Sequence, residues 1–179
     1  MAQLEDSLYM ASGDQLIVMD QDENFYHRKG HELGGVWKMS HTADGILFGI
    51  NSNKLIWYKP DDNATHSISL QDLPAYVKSS PGFTDFSIAN NGNILVYSEQ
   101  VYEVDLKTGM STNYPMPESL NPDRLEIRSL VQDDQGLYWM SLPDRIACFT
   151  LSNDSLKLVN SYSYSQGLVT QWHDELVKD

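Results

Sequence analysis

The sequence has little positive charge, a single cysteine and no long apolar run. Its 179 residues include 12 Lys and Arg against 25 Asp and Glu, which gives a formal net charge of −13. Nucleic acids and anionic membranes are bound by clustered basic side chains, so this balance argues against both as partners. No stretch approaches the roughly 18–20 apolar residues that a membrane span needs.

The N-terminal sequence and the single cysteine limit what can be said about secretion, disulfides and thiol chemistry. The first ten residues lack the basic start and apolar run of a secretory signal peptide. Cys148 is the only cysteine, so no internal disulfide can form and cysteine usage does not indicate a compartment. It lies in an apolar run, where packing is expected rather than nucleophilic chemistry.

A repeat is present, marked by Gly45, Gly92 and Gly136, which lie 47 and then 44 residues apart. Each glycine follows Asp, Asn or Gln and precedes an apolar, β-favouring run. Asp-Gly and Asn-Gly are strong hairpin signals because their turns need positive φ. One further β-like run precedes each glycine. Three follow it: the run just described and two more, separated by polar turns. Four short antiparallel strands in about 45 residues are typical of a β-propeller blade, so we predict an all-β propeller.

The predicted blades cover residues 36–82, 83–126 and 127–171, with a fourth split between 1–35 and 172–179, as one propeller domain. Residues 7–12 resemble 136–141, a second strand, so the chain is expected to begin without a first strand. Residues 176–179 resemble 130–133 and could supply it, which would close a four-blade ring. The alternative is a segment of a larger propeller, completed by further blades of a longer chain or by self-association.

The repeat around Gly136 also carries a family resemblance. It combines Leu130 and Val131, then Asp133, Gly136 and Trp139, and closes with Gln166-Gly167-Leu168. This resembles the two-component regulator propeller repeat of the periplasmic sensor region in Bacteroides-type hybrid two-component sensor histidine kinases. The other repeats depart from the pattern: Phe48 stands in place of the tryptophan in one, and the repeat of Gly92 has none.

The resemblance implies a periplasmic, non-catalytic module that senses a glycan or similar polar ligand, most simply an oligosaccharide, and signals to a histidine kinase that this chain does not contain. Two alternatives remain open. One is a protein–protein interaction scaffold, which the same architecture serves. The other is a lyase, which would need histidines and acidic side chains converging at the channel mouth, the histidines drawn from His27, His41, His66 and His173.

Motifs that would indicate a cofactor or a metal site are incomplete or missing in the sequence, so neither is predicted. Asp20 to Asn24 resembles the start of a calcium loop, but Phe25 replaces the required glycine, which favours a polar turn. His27 and His31 are four residues apart, a spacing that can bind zinc when both lie on one face of a helix. Nearby glycines disfavour a helix here. No phosphate-binding loop, dinucleotide fingerprint or serine-nucleophile motif occurs.

Ligand binding in propellers is expected at one mouth of the channel, where the connections between second and third strands meet those leading into first strands. Their amide, carboxylate and guanidinium groups suit hydrogen bonds to hydroxyls and carboxylates. The predicted ligand-binding residues are Asn51, Asn53, Glu99, Arg124, Asp144 and Arg145.

The stretch Gln132 to Trp139, QDDQGLYW, could be taken for a metal loop or a catalytic fragment. Because it recurs in weaker form at Gly45 and Gly92, we interpret it as a repeated turn. Its carboxylates are expected to accept hydrogen bonds from turn amides, Gly136 to adopt positive φ, and Trp139 to pack between blades.

Overall fold

The structure, a computed structural model, describes residues 2–4, 7–12, 15–28, 38–42, 45–48, 54–61, 64–69, 85–120, 126–152, 155–167 and 176. These residues form sixteen β-strands and two single-turn 3₁₀ helices, Glu118–Leu120 and Tyr164–Gln166. Across the same residues, no helix has the length and apolar character to cross a membrane. The predicted all-β class is confirmed. The chain divides into two compact units, Met1–Asp72 and Leu73–Asp179.

Unit one contains two four-stranded antiparallel sheets. Sheet 1 consists of β1 (Ala2–Leu4), β2 (Ser7–Ser12), β3 (Gln15–Met19) and β4 (Phe25–Arg28). Sheet 2 consists of β5 (Met39–Thr42), β6 (Gly45–Phe48), β7 (Lys54–Lys59) and β8 (Ala64–Ser69).

Unit two is built in the same way. Sheet 3 consists of β9 (Asp85–Ile88), β10 (Ile94–Tyr97), β11 (Val101–Val104) and β12 (Ser111–Tyr114). Sheet 4 consists of β13 (Ser129–Gln132), β14 (Tyr138–Leu142), β15 (Arg145–Ser152) and β16 (Ser155–Ser163).

Every sheet is a meander in which each strand pairs with its neighbour in sequence. Within each unit the two sheets approach through their first strands, β1 with β5 and β9 with β13. Short polar connections and apolar strands favour this order, because antiparallel neighbours need only tight turns. Neighbouring blades around a central channel have this arrangement, so the predicted four strands per repeat are confirmed.

The core of unit two lies between sheets 3 and 4. Strands β10 and β11 are buried along their whole length, which explains their nearly continuous apolar sequences. In sheet 4, alternate residues face sheet 3. Burying each large side chain contributes about 1.5–3 kcal/mol relative to exposure. The largest contributors are Leu95, Tyr97, Val101, Tyr114, Leu130, Tyr138, Met140, Leu142 and Phe149.

Unit one has its own buried residues, among them Leu16 and Leu55, and the rings of Tyr9 and Tyr58 lie 6.2 Å apart.

The role of Gly45 differs from the prediction. Positive φ is confined to Glu23, Gly92, Gly109, Gly136 and Gly167 among the described residues, so the positive-φ expectation for Gly45 is wrong. Instead, a Cβ at Gly45 would meet the Tyr58 carbonyl oxygen at 2.5 Å, so the close approach of β7 requires glycine.

The start of the chain also differs from the prediction. The expectation that it lacks a first strand is wrong, because Ala2–Leu4 forms β1. This strand pairs antiparallel with β2, with Ala2 opposite Tyr9 and Leu4 opposite Ser7. The proposed replacement, residues 172–179, lies outside the described residues except for Leu176. The Leu176 amide donates a hydrogen bond to Ser129 Oγ at 2.9 Å, within unit two. The boundaries of the blades as domains stay a prediction.

Candidate functional site

The structure describes three of the six predicted ligand-binding residues, all in unit two. Glu99 lies in the connection between β10 and β11, and Asp144 and Arg145 lie where β14 turns into β15. Asn51, Asn53 and Arg124 lie outside the described residues.

These three residues share one end of unit two, which we call the loop end: connections 98–100 and 143–144 with the residues leading into β13. The Ile127 amide donates to the Ser98 carbonyl at 2.9 Å, and the Arg128 amide donates to the Ser141 carbonyl at 2.9 Å. The first bond joins the connection of sheet 3 to the chain entering sheet 4. The loop end is therefore tied to both sheets by backbone hydrogen bonds, which position its side chains on a rigid base.

Asp144 and Arg145 form a bidentate pair at the loop end. Arg145 donates from Nε to Asp144 Oδ1 at 2.9 Å and from Nη2 to Oδ2 at 2.7 Å. The Asp144 side chain is 63% exposed and that of Arg145 33% exposed. The hydrogen bonds from Arg145 hold the pKa of Asp144 below its ordinary value, and the same contact raises the pKa of Arg145. Both groups are therefore charged at neutral pH.

This pair offers both kinds of hydrogen bond within a few ångströms. A guanidinium has five N–H donors, of which the pair with Asp144 uses two, and the carboxylate has further lone pairs. A polyol presents hydroxyls that both donate and accept, so it matches such a pair without separating the two charges. Glu99 adds a further exposed carboxylate on the neighbouring connection. Among the residues described, no ion pair joins it to Arg145.

Two polar clusters near the loop end were not predicted from the sequence. Gln100 Oε1 accepts from Asn113 Nδ2 at 2.8 Å and from the Tyr102 hydroxyl at 3.3 Å. Tyr97 is fully buried and pairs in register with Asp85. Burial, with the nearby charge of Asp85, raises the pKa of Tyr97 well above its ordinary value. Only the strand register reveals this neighbour, since the two residues are twelve positions apart.

A histidine-based active site does not form in the part of the chain that the structure describes. His41 lies on β5 and His66 on β8, the opposite edges of sheet 2. Three strand spacings separate them, about 14 Å. His66 instead stacks on Trp57, with ring centroids 5.1 Å apart. His27 belongs to β4, and His31 and His173 lie outside the described residues.

The other chemical candidates have structural roles. Asp20 Oδ1 accepts from the amides of Asp22 and Asn24, both at 2.9 Å, and Oδ2 accepts from the Tyr26 hydroxyl. The predicted polar turn between β3 and β4 is thus confirmed. Burial raises the pKa of the Cys148 thiol, which disfavours the reactive thiolate. No group of three or more His, Cys, Asp or Glu side chains within the described ranges could hold a metal ion.

The stretch Gln132 to Trp139 forms the turn between β13 and β14. Asp133 Oδ1 accepts from the amides of Gln135 and Leu137, both at 2.9 Å, and Oδ2 accepts from Trp139 Nε1 at 2.8 Å. Gly136 has φ of +81°. The predicted turn role of Asp133 and Gly136 is confirmed. Trp139 also stacks on Tyr162 of its own sheet, with centroids 6.3 Å apart.

Comparisons with known proteins support the architecture. No protein-family model and no curated protein matches the chain. The structure is similar to the extracellular domain of a putative hybrid two-component system from B. thetaiotaomicron, with 15% identity and a TM-score of 0.68 over 90% of this chain. The chain spans 22% of that domain.

Other solved structures give the same result. One is a catalytically inactive virginiamycin B lyase from Staphylococcus aureus with quinupristin, at 13% identity and TM-score 0.63, covering 88% of this chain and 53% of the lyase. Another is the Swd1 β-propeller domain of Myceliophteria thermophila, at 11% identity and TM-score 0.65, covering 88% of this chain and 54% of that domain. At such identities the similarity establishes the fold alone, and the four sheets are blades of a β-propeller segment.

Proposed function

We propose that the chain is a non-catalytic, ligand-sensing propeller module of a two-component signalling receptor, located in the periplasm, with the kinase elsewhere in the parent protein. Its ligand is a glycan or a similarly polar molecule bound at the loop end. The fold similarity to an extracellular sensor domain supports the sensing role. The repeat pattern around Asp133, Gly136 and Trp139 supports the same family.

The observation that carries this proposal is the chemistry of the loop end. Arg145 and Asp144 are held in a fixed bidentate geometry at the start of a long, paired strand. Among the residues that the structure describes, the two side chains bond only to each other, and both reach solvent. A preorganised donor and acceptor on a rigid element bind with less loss of conformational entropy than flexible loop residues would.

A thermal-shift screen with soluble oligosaccharides tests the proposal. We expect at least one glycan to stabilise the protein, because a ligand bound only by the folded state raises the midpoint. Arg145→Gln should weaken that ligand about tenfold or more, since charge-assisted hydrogen bonds contribute about 1.5–3 kcal/mol. Lys107→Gln is the matched control, because Lys107 is exposed in the same unit on the connection between β11 and β12. No stabilisation by any glycan, or equal losses in both variants, would contradict the proposal.

A protein–protein scaffold is the second candidate, favoured by exposed apolar side chains on the outermost strand of sheet 4. Leu158, Val159 and Tyr162 of β16 are 39–55% exposed. Exposed apolar residues on an edge strand favour association with another chain. Its partners would be a second copy or further blades of a longer chain. Light scattering of wild-type protein and of Val159→Lys tests association through β16. A dimer that the variant abolishes supports such association, and a monomer in both proteins counts against association of two copies through this strand.

A further inference from the structure

The turn between β9 and β10 contains Asn91-Gly92, the only Asn-Gly pair in the sequence. Asparagine before glycine is chemically labile, because the unhindered glycine nitrogen can attack the side-chain amide carbon. Both residues are exposed, and Gly92 has φ of +83°. Water therefore reaches the turn freely, and the geometry of the reacting groups governs the reaction.

The folded turn holds both reacting groups. Asn91 Oδ1 accepts from the Asn93 amide at 2.9 Å, and Asn91 Nδ2 donates to Glu103 Oε1 at 2.7 Å. The Gly92 nitrogen, which would attack, donates to the Ala89 carbonyl at 2.9 Å. Attack requires the Gly92 N–H to leave the Ala89 carbonyl and Asn91 Nδ2 to leave Glu103, so the fold opposes the reaction.

The acceptor of the Asn91 amide is a nearly buried carboxylate. Glu103 is 9% exposed. Its Oε1 also accepts from Asn93 Nδ2 at 2.7 Å, and its Oε2 accepts from the Tyr114 hydroxyl at 2.8 Å. Its negative charge lies close enough to Tyr138 of sheet 4 to contribute, after burial, to raising the pKa of that hydroxyl. Glu103 thus connects the turn to the packing between sheets 3 and 4.

We propose that Asn91 is a deamidation site that the native turn suppresses, and whose reaction weakens sheet 3. The Gly92 nitrogen loses its proton and forms a bond to Asn91 Cγ. The Cγ–Nδ2 bond breaks, and Nδ2 leaves as ammonia. Water then opens the cyclic imide to aspartate or isoaspartate. The reaction needs no oxidant or cofactor.

The product is incompatible with the native network. A carboxylate at position 91 replaces the donor that faces Glu103 Oε1, so two negative charges lie at hydrogen-bond distance in a nearly buried place. Isoaspartate also lengthens the backbone of a turn whose conformation depends on Gly92. The change is irreversible, and it affects the sheet that carries Glu99 at its other end.

Peptide mass spectrometry of the aged, intact chain tests the suppression. At mildly alkaline pH, conversion of Asn91 should be about tenfold slower in native buffer than in denaturant, because the hydrogen bonds from Asn91 Nδ2 to Glu103 and from the Gly92 amide to Ala89 must break before attack. Asn113, followed by the bulky Tyr114, is an internal reference that should react slowly in denaturant. Equal rates for Asn91 in the two solutions would overturn the proposal.

A pair of variants tests the consequence. Asn91→Asp, which mimics one product, should lower the thermal midpoint. Adding Glu103→Gln removes the repulsion and keeps hydrogen-bonding groups for Asn93 and Tyr114, so the double variant should recover part of the loss. An unchanged midpoint for Asn91→Asp, or no recovery in the double variant, would contradict the role assigned to Glu103.

Discussion

The two ends of unit two use polar side chains in opposite ways. At the end opposite the loop end, which we call the turn end, Asp133 and Asn91 bond to their own turns and Glu103 binds three neighbouring side chains. Asn90 Nδ2 also donates to the Asp133 carbonyl at 2.7 Å, which joins the turns of sheets 3 and 4. At the loop end, Asp144 and Arg145 bond to each other and remain accessible to solvent.

This difference separates stability from binding within one pair of sheets. The polar side chains of the turn end already bond to backbone amides and to buried side chains, so substitutions there should lower stability. The loop-end pair of Asp144 and Arg145 supports no buried partner among the described residues, so substitutions of this pair should change binding. The density of carboxylates in a sequence therefore does not identify a site, because the adjacent pair Asp133-Asp134 belongs to the turn end.

The largest effect is expected at Glu103. Glu103→Ala leaves Asn91, Asn93 and the Tyr114 hydroxyl without their acceptor, and we expect a loss of about 3 kcal/mol in the free energy of unfolding. Urea denaturation measures this. Glu103→Gln is the control, because it keeps an oxygen acceptor and should lose less than half as much. Equal losses in the two variants would show that the network does not depend on the acceptor.

The next effect concerns the glycines of the two turns. Gly136→Val should cost about 2 kcal/mol, because φ of +81° disfavours a β-branched residue. Gly92→Val should cost a similar amount, since φ there is +83° and no atom lies within 4 Å of the added Cβ. Thermal denaturation of both checks the equality. A glycan that binds the wild type should bind both variants unchanged, and loss of binding at unchanged stability would refute the turn role.

A smaller effect is expected at Asp133. Asp133→Ala removes the acceptor for two turn amides and for Trp139 Nε1. Water can replace it for the exposed Gln135 amide, so we expect a loss of about 1–1.5 kcal/mol. The loss should also be accompanied by a change in tryptophan fluorescence as the indole loses its partner. A loss as large as that of Glu103→Ala would mean that the turns of sheets 3 and 4 do not differ in this way.

The smallest effect is expected at Asp144. Its folded pKa lies below the ordinary value of 3.8, so its contribution is present above that value and lost as pH falls through the folded pKa. Because the side chain is largely exposed, Asp144→Asn should cost no more than about 0.5 kcal/mol near neutrality. Denaturant titrations of wild type and variant should converge under acidic conditions. A difference that grows on acidification would contradict this sign.

The repeat made most of the fold predictable. Glycines 47 and 44 residues apart, each followed by an apolar run, located the hairpins between first and second strands. Strand β1 was missed because Ala2–Leu4 is short and carries no repeat glycine of its own. The sequence did not show why glycine is needed at position 45. The requirement comes from the close approach of the Tyr58 carbonyl on β7, which local turn chemistry does not reveal.

The candidate site was less predictable. Strand order alone fixes which connections share an end, so the positions of Glu99, Asp144 and Arg145 at one end of the blades were predictable. Their role in ligand binding stays a prediction. Their contacts were not predictable, since pairing of Arg145 with Asp144 rather than Glu99 depends on side-chain geometry. The Glu103 network was also invisible in sequence, because its partners lie ten to twelve residues away across three strands.

The most direct test measures glycan affinity and stability together in Arg145→Gln and Asp133→Ala, using an oligosaccharide that stabilises the wild type in the thermal-shift screen. We predict that Arg145→Gln loses affinity about tenfold while its thermal midpoint is unchanged, and that Asp133→Ala loses stability while its affinity in native buffer is unchanged. The opposite pattern, with affinity lost at Asp133 and kept at Arg145, would contradict the division between a binding loop end and a structural turn end.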